Sequence, residues 1–220
     1  MIRLPRNAIA IALAATLLAA APVVATAQAQ QAAPAAMQGS PSELVLNNTR
    51  RVLETIEARR AEFASDRNAL QQFISTEFDT MFDRDYAARQ VLGRHGRGAS
   101  DEEVKAFGDA LAQNLMRRYG SSLIDFNTRL QVRIKSETAL PRGLGVKVSS
   151  EMLRSDGDAI PVDYLMRMSG GQWKVFDVMV EGVSFVQTFR QQFDAELQHK
   201  SIAQVAAELR KGQLNANAEK

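Results

Sequence analysis

The chain predicts an α+β fold: amphipathic helices packed on one face of a curved antiparallel sheet of about four strands, enclosing a hydrophobic pocket. Three observations carry this. Apolar residues recur with the helical period of 3.6 up to about residue 120. They alternate with period 2 between residues 130 and 180, and the helical period returns after Gly182. Helix and strand periods bury different sets of side chains, so helices and strands that are segregated along a chain form packed layers.

The first segment is read as a signal for export. Arg3 and Arg6 precede an apolar run from Asn7 to Ala21, and Ala25-Thr26-Ala27 supplies small residues at a cleavage spacing. This is the pattern of a bacterial secretory signal peptide. The run meets Pro22 short of the roughly 20 residues that span a bilayer. Residues 1–27 are therefore expected to be cleaved, with Ala27-Gln28-Ala29 a second cleavage option, so the mature start falls at Gln28 or Gln30. A periplasmic location follows. Residues 28–41, rich in Gln, Ala and Pro, read as a flexible leader.

Ser40-Pro41-Ser42-Glu43 is a capping box with proline at the first helical position, and it opens a helix running to about Phe63. Asp66 suits the cap of a second helix carrying Leu70, Phe73, Ile74 and Phe78, and Asp85 the cap of a third that ends at Gly93. Ser100 to Glu103 forms another capping box, followed by Val104, Phe107, Leu111 and Leu115 on one helical stripe. Strict alternation from Leu130 to Lys135 marks the first strand. Val146 to about Arg154 forms the second, Ile160 to Met168 the third and Trp173 to Val180 the fourth. Gly170-Gly171 joins the last two as a tight hairpin. A helix through Phe185, Val186, Phe189 and Phe193 follows, then one capped at Ser201 and stopped by Gly212. The domain thus covers residues 42–212, and residues 213–220 read as a polar tail.

Composition narrows the function. The chain holds 27 Lys and Arg against 25 Asp and Glu, but Arg3 and Arg6 lie in the export segment, leaving 25 of each sign. A neutral domain lacks the cationic excess that nucleic-acid binding draws on, so no nucleic-acid partner is expected. The absence of cysteine excludes disulfides and thiol catalysis. His95 and His199 lack metal-ligand spacing, and no serine sits in a nucleophile elbow. Neither an enzyme nor a cofactor is expected. Gly93-Arg94-His95-Gly96-Arg97-Gly98 follows a helix and lacks the Lys-Ser/Thr of a phosphate loop, and reads first as a helix stop and mobile loop. Arg94 and Arg97 are candidates there for contact with a lipid headgroup or an acidic partner.

Parity assigns the inner face of the sheet. Val132, Ile134, Val146, Val148, Tyr164 and Met166 fall opposite the charges. A two-residue Gly-Gly turn pairs Met166 with Val175 and Tyr164 with Asp177, adding Val175 and Met179; a three-residue loop instead selects Phe176 and Val178. Phe107, Leu111, Phe185 and Phe189 face them from the helices. The four methionines of these strands suit a surface that accepts variable apolar ligands, although an ordinary dry core has the same composition.

Longer motifs distinguish these readings. Pro161-Val162-Asp163-Tyr164, Gly171-Gln172-Trp173-Lys174-Val175-Phe176-Asp177-Val178, Glu181-Gly182-Val183-Ser184 and Phe189-Arg190-Gln191-Gln192-Phe193 together closely resemble the signature of the MlaC family. These are periplasmic phospholipid shuttles first described as toluene-tolerance proteins. Ala88 to His95 and Ala99-Ser100 extend the match, and the order of elements agrees from about residue 42 to 212. Gly96 stands where the family usually has tryptophan, and Phe176 and Phe189 where tyrosines are common.

The resemblance implies a pocket for acyl chains with the headgroup near its mouth, phospholipid as cargo, and transfer that maintains outer-membrane lipid asymmetry. The implied partners are an outer-membrane lipoprotein–porin complex and an inner-membrane ABC transporter reached through its periplasmic lipid-channel subunit. Asp163, Trp173, Asp177, Glu181, Gly182 and Arg190 are expected to be architectural. A carrier of hopanoid or another lipid, or a secreted adaptor with a dry core, are the alternatives.

Overall fold

The computed structural model describes residues 39–119, 130–154 and 157–217. The segment expected to direct export, most of the expected leader and residues 155–156 lie outside the described residues. The described chain is α+β, with seven α-helices and one five-stranded antiparallel sheet. The first five helices are α1 (Pro41–Ala58), α2 (Arg60–Ser65), α3 (Arg67–Met81), α4 (Arg84–Leu92) and α5 (Asp101–Tyr119). The strands are β1 (Gln131–Ala139), β2 (Val146–Leu153), β3 (Ile160–Ser169), β4 (Gln172–Val180) and β5 (Val183–Ser184), and α6 (Phe185–Leu197) and α7 (Ile202–Lys211) close the fold.

Local chemistry sets most boundaries. Ser40 accepts from the Glu43 amide while the Glu43 carboxylate accepts from the Ser40 amide, which closes the capping box of α1. The helix expected to reach Phe63 instead breaks at Arg59. The break rotates Phe63 inward, where it stacks on Phe73 at 5.6 Å and packs with Ile56 and Leu70. Asp83, not Asp85, caps α4: it stands three residues before the Tyr86 amide that it accepts from, the reach an N-cap carboxylate needs. The glycine-rich stretch is a 3-10 turn, Gly93–Gly96. Gly96 is buried there, and a Cβ would stand 3.0 Å from that of Leu92.

The sheet is a meander in the order β1-β2-β3-β4-β5. Gly170 and Gly171 both have positive φ, as a two-residue hairpin turn requires, and Ser169 pairs with Gln172. The pairing then shifts. Met166 pairs with Val175, but Tyr164 pairs with Val178 rather than Asp177, because a bulge intervenes at Phe176. The bulge sits where the chain entering α4 docks on the outer edge of β4: the Asp83 amide donates to the Val175 carbonyl at 2.8 Å. A second bulge interrupts β1 between Ile134 and Ser136. The fifth strand, too short to show alternation, follows a turn at Glu181 and Gly182, both with positive φ, that pairs Val180 with Val183.

Two larger cores lie beside the Ile56–Phe63–Leu70 cluster. One face of the sheet, with Val148, Val162, Tyr164, Met166 and Val175, closes on Val45 of α1. The other core is helical and joins α4, α5, α6 and α7 around Phe107, Phe193, Val205 and Leu209. Phe107 meets Phe193 edge to face at 5.6 Å. Asn114, buried in α5, donates to the carbonyls of Leu209 and Leu214 and accepts from the Ala216 amide. The start of the stretch read as a polar tail is thereby fastened to the helical core.

Candidate functional site

A cavity of about 260 Å³ lies among α3, α4, α5, β4 and α6. Its origin is legible in two facing helical stripes. Arg84, Ala87, Ala88 and Val91 line it from α4, and Gly108, Leu111, Ala112 and Leu115 from α5, each set at i, i+3, i+4 and i+7. Small residues occupy half of these positions. Where α4 and α5 touch, a Cβ on Gly108 would stand 3.2 Å from that of Ala88; beyond that point the missing side chains leave space. Phe78 and Phe82 from α3 and its C-cap, Phe176 and Val178 from β4, and Phe185, Val186 and Phe189 from α6 complete an apolar wall. Phe176, at the bulge, meets Tyr86 edge to face at 5.3 Å.

Two charged side chains touch this wall. Asp177 is 6% exposed and accepts from the Ser184 hydroxyl at 2.6 Å and the Val186 amide at 3.0 Å, so it holds the first turn of α6 to the sheet. Burial pushes its carboxyl above the usual carboxylate range, against the pull of Ser184, the Val186 and Val178 amides and Arg190. Arg84 lies at the other side, ion-paired to Asp79 and, at 2.6 Å, to Asp109, with its guanidinium 5.6 Å from the Phe78 ring centroid. Beside it a second, charged hollow of about 400 Å³ opens, and Phe82 and Arg84 line both.

The structure distributes the residues singled out from sequence over four places. Leu111, Phe185 and Phe189 line the cavity. Val148, Tyr164, Met166 and Val175 are buried in the sheet core against α1, with Ile134 and Val146 partly buried beside them. There the Tyr164 hydroxyl is bonded to Thr49, and burial raises its pKa. Phe107 belongs to the helical core. Val132 pairs with Met152 on the face that carries Ile134. Met179 pairs with Asp163, which places it on the face opposite Tyr164: the bulge at Phe176 reverses its parity. For the same reason Phe176 and Val178, the residues of the longer-loop alternative, reach the cavity although the turn has two residues.

Among the motif residues, Asp163 lies 3.5 Å from Lys147 across the sheet, and Trp173 packs against the sheet core. Glu181 and Gly182 form the β4–β5 turn, where the Glu181 amide donates to the Pro161 carbonyl at 3.0 Å. Arg190 donates through Nε to the Gln90 carbonyl at 2.6 Å, tying α6 to the last turn of α4. Arg94 is engaged at 3.0 Å by Asp194, which also meets His95 at 2.9 Å, and Arg97 is exposed. Sequence reasoning missed Phe78, Phe82 and the Ala/Gly stripes; alanine and glycine at helical spacing on two neighbouring helices were the available signal. Among the described residues no cluster of His, Asp and Glu could hold a metal ion, and no helix is long and apolar enough to cross a membrane.

A family model described as MlaC protein matches residues 46–211. A toluene tolerance protein, ttg2D, from Pseudomonas putida is 27% identical over 162 residues, covering 72% of this chain and 74% of that protein. The intermembrane phospholipid transport system binding protein MlaC of Haemophilus influenzae is 22% identical over 151 residues, covering 67% of this chain and 70% of its own length. Among solved structures, a phospholipid-binding protein from Ralstonia solanacearum in complex with a phospholipid superposes with a TM-score of 0.69 at 21% identity. That match covers 80% of this chain and 98% of the other, and it establishes the shared fold.

Proposed function

Because the chain belongs to the MlaC family, we propose that it is a periplasmic phospholipid carrier that moves lipid between outer- and inner-membrane complexes and so maintains outer-membrane lipid asymmetry. The observation that supports this reading is the apolar cavity under α4, α5 and α6, where Asp177 and Arg84 are, among the described residues, the only charged ones in the lining. Phenylalanine rather than tyrosine at 176 and 189 keeps hydroxyls out of that wall. An acyl segment that enters it leaves water, and each methylene buried contributes about 0.8 kcal/mol. A free lipid crosses an aqueous compartment slowly for the same reason, so the chemistry calls for a protein that encloses the chain and delivers it. Delivery involves an outer-membrane lipoprotein–porin complex at one end and an inner-membrane ABC transporter with a periplasmic lipid-channel subunit at the other.

Organic extraction and native mass spectrometry of protein purified from a bacterial periplasm test the proposal. Phospholipid is expected at a stoichiometric level. Folded protein recovered lipid-free from a lipid-replete periplasm, and unable to take lipid from vesicles, would overturn it.

A further inference from the structure

The carrier reading leaves the charged hollow beside the cavity unexplained. Its lining includes three cationic side chains, Arg84, Lys105 and Lys174, and three carboxylates, Asp79, Asp83 and Asp85. The two signs balance, unlike a site for a simple anion or a metal cation. Arg84 joins this hollow to the apolar one. Its Cγ and Cδ lie 3.4 and 3.7 Å from where a Cβ on Gly108 would stand, on the cavity side, while its terminal nitrogens pair with Asp79 and Asp109. The long stem covers apolar surface and carries the charge out of it.

Arg84 is also incompletely satisfied. Its Nε–H is buried and, among the described residues, is the side-chain nitrogen or oxygen that is buried without a hydrogen-bond partner. That nitrogen lies below the surface of the hollow, so the part of Arg84 open to a ligand is the remainder of its side chain, which is 23% exposed. Lys105 and Lys174 retain donor capacity, since each ammonium carries three protons and they are engaged by Asp109 at 3.1 Å and by the Thr80 carbonyl respectively. Asp85 is exposed, and the Asp79 side chain is 54% exposed.

We propose that this hollow reads the headgroup of the cargo and favours an amine-bearing zwitterionic phospholipid over an anionic one. The inference rests on the carrier reading. The phosphodiester meets the Lys105, Lys174 and Arg84 side, and the ammonium meets Asp79 and Asp85. A glycerol headgroup offers the carboxylates no positive charge, so it forgoes half of the complementarity.

The test uses delipidated mature protein with vesicles holding equal parts of phosphatidylethanolamine, phosphatidylglycerol and diacylglycerol, and reads bound lipid by extraction and mass spectrometry. Wild type is expected to favour phosphatidylethanolamine over phosphatidylglycerol by roughly fivefold. The double variant Lys105→Gln/Lys174→Gln should lose both phospholipids relative to diacylglycerol by roughly tenfold, and Asp79→Asn/Asp85→Asn should lose the preference between the two phospholipids. Arg84→Lys keeps the charge but loses the planar guanidinium fork and should shift the phospholipid-to-diacylglycerol ratio in the direction of the lysine variant. Headgroup ratios unchanged in all three variants, with lipid still loaded, would overturn this inference and leave the carrier reading intact. Wild type that loads none of the three lipids would instead sink the carrier reading. A melting temperature raised by inorganic phosphate, with no discrimination among the three lipids, would identify a free-phosphate site and overturn the headgroup assignment.

Discussion

Asp177 accepts a hydrogen bond from the Ser184 hydroxyl at 2.6 Å, and the same serine oxygen accepts one from the Gln187 amide at 3.0 Å. The carboxylate on β4 and the N-cap of α6 therefore form one unit that sets the angle at which α6 leaves the sheet. Phe185, Val186 and Phe189, just beyond that cap, contribute the α6 wall of the cavity. A sheet carboxylate thus positions an apolar wall.

That carboxylate should leave a signature in pH dependence. Its folded-state pKa is raised, chiefly by burial, so the folded chain binds the proton more tightly than the unfolded chain. The corresponding stability is fully present below the unfolded value of about 3.9 and is lost as pH rises through the folded value. Asp177→Asn keeps an acceptor for the Val186 amide and remains neutral throughout. The melting temperature of the wild type should fall relative to the Asn variant as pH increases from about 4 toward 7. Parallel curves would show that the carboxyl is not raised.

Removing Arg190 tests the tie between α6 and α4. Arg190→Ala leaves the Gln90 carbonyl, 2.6 Å from Nε in the native chain, without this donor. A loss of about 1–3 kcal/mol is expected from urea denaturation, while lipid bound per folded protein should change little, since Arg190 does not line the cavity. Full stability with abolished lipid uptake would make Arg190 a lipid ligand.

Val148 and Ala112 distinguish core from cavity. Val148 is fully buried among Val45, Tyr164 and Met166, so Val148→Trp should overpack the sheet core and cost about 1–3 kcal/mol. Ala112 is only partly buried and lines the cavity. Ala112→Trp should place its indole in the open volume, keep the melting temperature within a few degrees of wild type, and lower copurified lipid. Equal destabilisation by both variants would show that the cavity is closed to a ring of that size.

Asn114 offers a test of how the C-terminal segment is held. Asn114→Leu removes its bonds to the Leu209 and Leu214 carbonyls and to the Ala216 amide, and a loss of about 2 kcal/mol or more is expected. Proteolysis should then cut within residues 213–217 under conditions where wild type is resistant. Unchanged cleavage would place the restraint on Gln192, which bonds to Asn215 and Asn217.

What the amino-acid order determines by itself here is local. The capping boxes at Ser40 and Ser201 and the Gly170-Gly171 turn operate over two to four residues, and the structure shows all three where the sequence implies them. Alternation likewise put Val148, Tyr164, Met166 and Val175 on one covered face. Parity along β4 beyond Val175 was not legible, because the bulge at Phe176 accompanies a contact with Asp83, far away in the chain. The division of apolar residues between a filled sheet core and an open cavity was not legible either. Whether a buried face is filled depends on the size of what packs against it: Val45 closes over the sheet, while the small residues of α4 and α5 leave a cavity beside the close Ala88–Gly108 contact. That is a property of facing surfaces, which only the tertiary arrangement brings together.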